Sequence, residues 1–318
     1  MQIRPLGKSG LTTAKFAFGG NVFGWTADRE TSFRLLDACV SAGVTLIDTA
    51  DVYSAWVPGH TGGESETVIG AWLRARGPSA RDKVLIATKV AMAPNRSGLK
   101  GENIRAACED SLRRLGVETI DLYQSHRDDP DTPMEETLQA YAGLIAEGKV
   151  RAIGASNFTA ARLKAALDLS ESLNLPRYET LQPQYNLYDR ADFERDLQGL
   201  CLERQVGVIP YYGLASGFLT GKYRSEADFG KSVRGRRMGA YLTPRGLGIL
   251  ACLDTVAAEL ETNQAAVALA WLMAQPGLTA PIASATTVAQ LEALFQALTL
   301  ELRPDHLTRL NAASEEGG

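Results

Sequence analysis

Four residues of the sequence have types and positions that suit proton chemistry in one pocket: Asp48, Tyr53, Lys89 and His126. Asp48 closes the apolar run Leu46-Ile47 and Tyr53 follows a few residues on; Lys89 ends Val84-Leu85-Ile86-Ala87-Thr88, and His126 ends Leu122-Tyr123-Gln124-Ser125. Taken singly, Asp48 also reads as a helix cap, Tyr53 as a loop aromatic and His126 as a satisfied core histidine. Lys89 resists such a reading, because a lysine ending a strand that is apolar on both faces needs a carboxylate partner. Asp48 is the candidate. As a set, the four suit carbonyl chemistry. A tyrosine ionises near pH ~10 unperturbed, so proton donation at neutral pH calls for a cation that stabilises the phenolate. Lys89 supplies that charge. A neutral imidazole at His126 hydrogen-bonds a carbonyl oxygen, leaving Tyr53 to protonate the developing alkoxide. No side chain carries hydride, so a cofactor must. The rival chemistry is a Schiff base on Lys89, as in aldolase-type barrels; a neighbouring carboxylate and tyrosine disfavour the neutral amine it requires.

Short apolar runs alternate along the chain with longer amphipathic ones, the mark of a parallel sheet wrapped by helices. Eight strand candidates begin near Lys15, Val44, Lys83, Ile120, Val150, Thr180, Val206 and Thr279, with helical stretches such as residues 30–42, 64–76, 102–115 and 134–147 between them. Asp28 or Thr31 suits the first N-cap; Gly43, Gly77 and Gly116 follow last turns, and Pro133 suits a first helical position. Ahead of the first strand, the turn residues between Ile3 and Leu11 predict a hairpin that plugs a barrel floor. One connection, residues 213–246, is long and rich in Gly, Arg and Ser, and loops of that length are usually functional or disordered. No linker divides the chain. The fold class is therefore α/β: a single (β/α)8 TIM barrel over residues 1–318, with an N-terminal β-hairpin and a long loop after strand seven. In such barrels function collects at the carboxyl ends of the strands, where all four residues fall.

The charged share of 22% and hydrophobic share of 45% are those of a globular protein with ample core material. A net charge of -4 and the absence of a dense Lys/Arg run exclude a nucleic-acid groove or membrane-surface patch as the main business. The four cysteines (Cys39, Cys108, Cys201, Cys252) lie far apart in helix-like segments and read as reduced core thiols, with no metal-like grouping. Neither a signal-peptide run nor a stretch of the ~18 apolar residues that span a membrane is present, so a cytoplasmic protein is expected. Oligomeric state stays open.

Leu46-Ile47-Asp48-Thr49-Ala50-Asp51-Val52-Tyr53, Ala87-Thr88-Lys89 and Asp121-Leu122-Tyr123-Gln124-Ser125-His126-Arg127 resemble the aldo-keto reductase family. So do Gly154-Ala155-Ser156-Asn157-Phe158, Leu181-Gln182-Pro183-Gln184-Tyr185-Asn186 and Gly217-Phe218-Leu219-Thr220-Gly221-Lys222-Tyr223, so the likeness covers nearly the whole chain. The resemblance implies an NADP(H)-dependent oxidoreductase acting on small carbonyl compounds or alcohols, with Asp48, Tyr53, Lys89 and His126 as its tetrad and Tyr53 as general acid or base. It implies that Ser156, Asn157 and Gln182 hold the nicotinamide carboxamide and that Tyr211 stacks on its ring. Leu214, Ser216 and Lys222 match the segment that folds over the pyrophosphate, and Gly20 and Asn21 lie near the nicotinamide. By the same resemblance Trp25 and Trp56 occupy loops that would wall the substrate pocket, and each reads equally as a packing residue.

The last strand departs from the family pattern. Where many relatives meet the adenosine 2′-phosphate with Lys or Arg, this chain has Ser284, Thr286, Thr287 and Gln290, and where they often have Glu and Asn at the adenine edge it has Ala293 and Leu294. Hydroxyls and helix-start N–H groups are left to hold a phosphate, with Arg234, Arg236 or Arg237 adding charge from the long loop. NADP(H) is the expected cofactor and NAD(H) the alternative, the latter implying an alcohol or sugar dehydrogenase. Tyr211-Tyr212-Gly213-Leu214-Ala215 and Gly221-Lys222-Tyr223 also resemble segments of potassium-channel β-subunits, nucleotide-binding regulatory partners within the same family.

Overall fold

Residue alternation along eight parallel strands separates an inner core from an outer one. The computed structural model describes residues 2–315. The strands are β1 (Ala17–Gly19), β2 (Leu46–Asp48), β3 (Leu85–Val90), β4 (Ile120–Ser125), β5 (Val150–Ser156), β6 (Tyr178–Gln182), β7 (Gly207–Val208) and β8 (Ile282–Ala283). Their hydrogen-bonded order is β7-β6-β5-β4-β3-β2-β1-β8. A parallel bridge between Val208 and Leu278, with Thr279 N–H donating to Val208 O (2.8 Å) and Ile282 N–H to Pro210 O (2.9 Å), closes the sheet into a (β/α)8 barrel.

Helices α1 (Arg29–Ser41), α2 (Glu64–Arg76), α3 (Gly101–Leu115), α4 (Met134–Ala146), α5 (Ala160–Leu173) and α6 (Leu197–Arg204) follow the first six strands. Pro244–Glu259 (α7) and Gln264–Ala274 (α8) precede β8; Val288–Phe295 (α9) and Pro304–Ser314 (α10) follow it. The helix α3 shows why they form: Ile104, Ala107, Cys108, Ser111, Leu112 and Leu115 recur at the spacing that gives one buried stripe. Gly116 ends it in the left-handed conformation (φ 66°). Asp28 caps α1 through Thr31 N–H at 2.8 Å.

Sequence expectations shift in detail: β2, β3 and β7 start one or two residues later than expected and β6 two residues earlier. Pro133 stands before the first residue of α4 rather than at it. The first strand begins at Ala17, and β8 begins at Ile282 rather than near Thr279, because the Thr279 and Ala280 N–H groups are both engaged by Val208 O in closing the barrel. The four cysteines lie on α1, α3, α6 and α7 with unpaired thiols. Burial pushes the Cys108 thiol up to about 12, which makes it unreactive at neutral pH.

The inner core is small. Ala17, Leu46, Ala87, Leu122, Ala152, Ile209 and Ala280 fill the barrel, with Leu6 and Leu11 inserted from below. Those two leucines belong to an antiparallel hairpin that pairs Ile3–Pro5 with Thr12–Ala14, and Arg4 ties it to Met273 O and Leu278 O at 2.8 Å each. Gly207 makes room for it: a Cβ there would lie 2.7 Å from Gly7 N. Each buried leucine contributes about 1.5–3 kcal/mol. The alternate residues Phe18, Ile47, Ile86, Val90, Tyr123, Ile153 and Leu181 face outward and pack in the larger core beneath the helices. The two-residue period that places Leu46, Ala87 and Leu122 in the floor places Asp48, Lys89 and Gln124 directly above it.

Candidate active site

Lys89 is fully buried at the end of β3 and its ammonium group is saturated by three acceptors. Nζ donates to Asp48 Oδ2 at 2.7 Å, to Thr49 O at 2.8 Å and to Tyr53 OH at 3.2 Å. Burial opposes its charge, but Asp48 and Tyr53 outweigh that and hold its pKa above the ordinary value. A charged lysine is a poor amine nucleophile, which counts against Schiff-base chemistry. Burial pushes the Tyr53 phenol up, Lys89 pulls it down and Asp48 pushes it up again; the net direction is up. The lowering expected from Lys89 is thus present but overridden, chiefly by burial of the phenol, with Asp48 adding to it. The His126 ring lies 5.8 Å from the Tyr53 ring, centroid to centroid. Burial, with Lys89 and Arg127, holds it well below the ordinary histidine value, so it is a neutral imidazole, and its Nδ1 has no partner among the described residues.

Beneath these groups lies a layer of amides. Gln182 Nε2 donates to Asp48 Oδ1 (2.9 Å) and to Gln124 Oε1 (3.2 Å), and Gln124 Nε2 donates to Asp48 Oδ1 (3.2 Å). Sequence reasoning does not single out Gln124, although it sits two residues before His126 on the inward face of β4. Beside this layer, Ser156 Oγ donates to Gln182 O at 2.9 Å. Asn157, in the left-handed conformation (φ 56°), donates from Nδ2 to His126 O at 3.0 Å and accepts at Oδ1 from Tyr211 OH at 2.8 Å. Ser156, Asn157, Gln182 and Tyr211 therefore converge on one side of the tetrad, as a single hydrogen-bonded wall.

The turn that carries Tyr53 rests on an acidic pair that the sequence does not reveal. Glu66 is fully buried, with Oε2 on Arg114 Nε at 2.7 Å and Oε1 accepting from Thr88 Oγ1 at 2.5 Å. Neither carboxylate oxygen of buried Asp51 has a partner among the described residues. Burial first, then the nearby Glu66 charge, pushes Asp51 up to about 7.

At the mouth, Trp25 packs edge-on against Trp56 (5.6 Å), and Trp56 against Tyr53 (5.6 Å). Trp56 is 46% exposed, so both tryptophans border the opening beside the phenol. From the long loop, Arg234 lies over the Trp25 ring at 5.1 Å. With the Asn21 amide turned so that its nitrogen faces Ser284 Oγ (2.7 Å), the Asn21 oxygen accepts from Arg234 Nη2 at 2.7 Å. Ser284 Oγ also donates to Gly19 O at 2.7 Å, next to Gly20. Arg236 and Arg237 are exposed farther along. Ala215, Ser216 and Gly217, just after Leu214, adopt successive positive φ angles (47°, 56° and 101°) and turn the loop sharply there. Lys222 follows, exposed, near Gly217. In the last loop, Thr286 N–H and Oγ1 both donate to Gln290 Oε1 (2.9 and 3.0 Å), and Thr287 Oγ1 caps α9 through Gln290 N–H at 3.2 Å. Part of the expected supply of phosphate donors is therefore engaged internally.

The model of the aldo/keto reductase family matches residues 15–315. The chain belongs to this family. Aldo/keto reductases similar to it include the uncharacterized oxidoreductase YrpG of Bacillus subtilis (strain 168), 35% identical over 98% of this chain and 95% of that protein. The L-glyceraldehyde 3-phosphate reductase of Escherichia coli (strain K12) is 32% identical over 94% of this chain and 88% of its own length. A probable voltage-gated potassium channel subunit beta of Oryza sativa subsp. japonica is 30% identical over 98% and 96%, respectively.

Aldo/keto reductases generally work with NADP(H) or NAD(H), and two features of this family member fit such a dinucleotide. Both amide protons of Gln182 are engaged, so its Oε1, which accepts nothing among the described residues, is an acceptor ready for an amide N–H at the pocket floor. At the rim, Lys222 and half-buried Arg234 have no carboxylate within ion-pair distance among the described residues, leaving two cations for an anionic group. Burial without a counter-ion lowers the Arg234 pKa. No helix among the described residues is long and apolar enough to cross a membrane.

Proposed function

We propose that the chain, acting as one barrel domain, is an NADP(H)-dependent oxidoreductase that interconverts small aldehydes or ketones with alcohols. One observation carries the reading: Lys89 Nζ bridges Asp48 and Tyr53 OH beside a neutral His126. Bound nicotinamide supplies the hydride in reduction and accepts it in oxidation. His126 donates a hydrogen bond to the carbonyl oxygen and orients it; charged Lys89 stabilises the charge that moves onto Tyr53 when its proton leaves OH for the alkoxide. Burial keeps the phenol protonated, and its proton still moves downhill in this direction, because an alkoxide is a much stronger base than a phenolate. In oxidation Tyr53 must first lose that proton, so alcohol turnover rises with pH.

For the cofactor, Gln182, Ser156 and Asn157 take the carboxamide, Tyr211 the ring, and Gly20 and Asn21 the adjoining part. Leu214, Ser216, Lys222 and Arg234 take the phosphates bridging the two nucleosides, and Ser284, Thr286 and Gln290 the adenosine end. Trp25 and Trp56 bound the substrate. A second reading, NAD(H) on the same residues, is favoured by the uncharged Thr286–Gln290 loop. The test is a turnover screen with both nicotinamides against aldehydes, ketones, sugars and secondary alcohols, glyceraldehyde 3-phosphate included, for the wild type and Tyr53→Phe. Turnover should fall by about 10²–10⁴-fold in the variant, the span of general acid catalysis, with NADPH affinity nearly intact. A variant that keeps most of its turnover removes Tyr53 as the acid.

A further inference from the structure

Gln124 is wholly buried beneath the pocket, yet the hydrogen-bond network leaves it little freedom. A carboxylate oxygen only accepts, so the Gln182 atom 2.9 Å from Asp48 Oδ1 and the Gln124 atom 3.2 Å from it must both be nitrogens. The Gln124 atom facing Gln182 Nε2 at 3.2 Å is then the oxygen. Only one pair of amide orientations satisfies all three contacts. In it Gln182 uses both protons downward and presents Oε1, an acceptor, to the pocket. If Gln124 were apolar, Asp48 would still hold one Gln182 proton, but the second would have no partner below and the amide would be free to rock toward the pocket. The fold keeps the space that Gln124 occupies: a Cβ on Gly154 would lie 2.3 Å from Thr180 Oγ1 and 3.1 Å from Gln124 Cγ.

We propose that Gln124 is a positioning residue that locks the Gln182 amide with its oxygen toward the pocket, so that the site recognises the N–H end of the nicotinamide carboxamide. This rests on the nicotinamide reading above. Gln124 touches neither cofactor nor substrate and acts only through Gln182 and Asp48.

The experiment compares three probes by quenching of tryptophan fluorescence: NADP+, its 3-acetylpyridine analogue, which keeps the carbonyl but has methyl in place of NH2, and 2′-phospho-ADP-ribose, which lacks the ring. The wild type should prefer NADP+ over the acetylpyridine analogue by about tenfold, the size of one hydrogen bond. Gln124→Met, of similar shape, should reduce that preference to about twofold or less while binding 2′-phospho-ADP-ribose as the wild type does. Full discrimination in Gln124→Met, or an equal loss of affinity for all three probes, overturns the proposal. A measurement on the wild type alone stands beside it, in case the variant does not fold. The Gln182 side-chain amide protons, followed by NMR, should exchange slowly with solvent and stay protected when NADP+ is added; rapid exchange of both overturns the assigned orientation. A wild type that binds no nicotinamide refutes the cofactor reading instead, and the exchange measurement still tests the orientation.

Discussion

Replacing Lys89 by methionine separates what the buried ion pair does for the fold from what it does for the reaction. The Lys89 side chain is 0% exposed and that of Asp48 4%, and the ammonium group makes all three of its bonds inside the protein. Removing one partner of such a pair costs about 3–5 kcal/mol, because the other charge is left in low dielectric. Asp48 Oδ1 keeps its two donors, Gln124 and Gln182, which places the expected loss near the lower end, about 3 kcal/mol. Urea unfolding followed by circular dichroism reads that loss. The double variant Asp48→Asn/Lys89→Met no longer strands a charge, and its stability should return to within about 1 kcal/mol of the wild type, since a buried pair contributes little net stability. Turnover should not return: both variants should stay about 10²–10³-fold below wild type, the cost of losing a preorganised stabiliser of developing charge. A double variant as unstable as the single one would refute the claim that stranded charge causes the instability. A Lys89→Met enzyme within tenfold of wild-type turnover would refute the catalytic half.

The remaining predictions concern pH and cofactor choice. Asp51 keeps its proton to about 7 in the fold, whereas an unfolded aspartate loses it near ~4. Its contribution is thus fully present below pH ~4 and is lost as pH rises to about 7, by up to about 4 kcal/mol. Asp51→Asn should flatten that slope, so its stability relative to wild type should grow from pH 4 to 8 in urea unfolding; a constant difference across that range would exclude Asp51 as the group. Thr286→Arg places a cation at the strand-eight loop and should raise NADPH affinity by about tenfold or more, as a hydrogen bond to a charged group is worth ~1.5–3 kcal/mol, with NADH unchanged. Wild-type dissociation constants that favour NADH, or no gain for NADPH in the variant, would favour the unphosphorylated cofactor.

Much of the barrel and its tetrad is legible in the amino-acid sequence, for identifiable physical reasons. Asp48, Lys89 and His126 stand at the ends of apolar strand runs, where a polar residue is conspicuous and the barrel gives it a place. The hairpin shows in the turn residues between Ile3 and Leu11. Gln124 is hidden because an uncharged amide in a strand offers no contrast; the usable signal is its even spacing from Leu122 and proximity to His126. The unpartnered Asp51 is invisible in the sequence, since its state depends on Glu66 being engaged by Arg114 and Thr88, a contact among a loop, a strand and two helices. The contact of Arg234 with Trp25 is equally out of reach, because it joins the long loop to the turn after β1 across the barrel mouth. The short extent of β8 reflects a closure between segments some seventy residues apart.

The hairpin beneath the barrel has a bearing on how such a sequence can change over generations. Leu6 and Leu11 close the floor together with Ala17, Leu46, Ala87, Leu122 and Ala152, using none of the residues assigned to cofactor or substrate. Foldability and preference are therefore written in different stretches of the chain. A substitution at Leu11 draws on the stability reserve and leaves the reacting groups in register. One at Trp56, nearly half in solvent, redraws the opening and leaves the reserve untouched. A descendant can explore new substrates by altering the rim, one tolerated step at a time, while the plug keeps the scaffold above the threshold at which those steps are survivable.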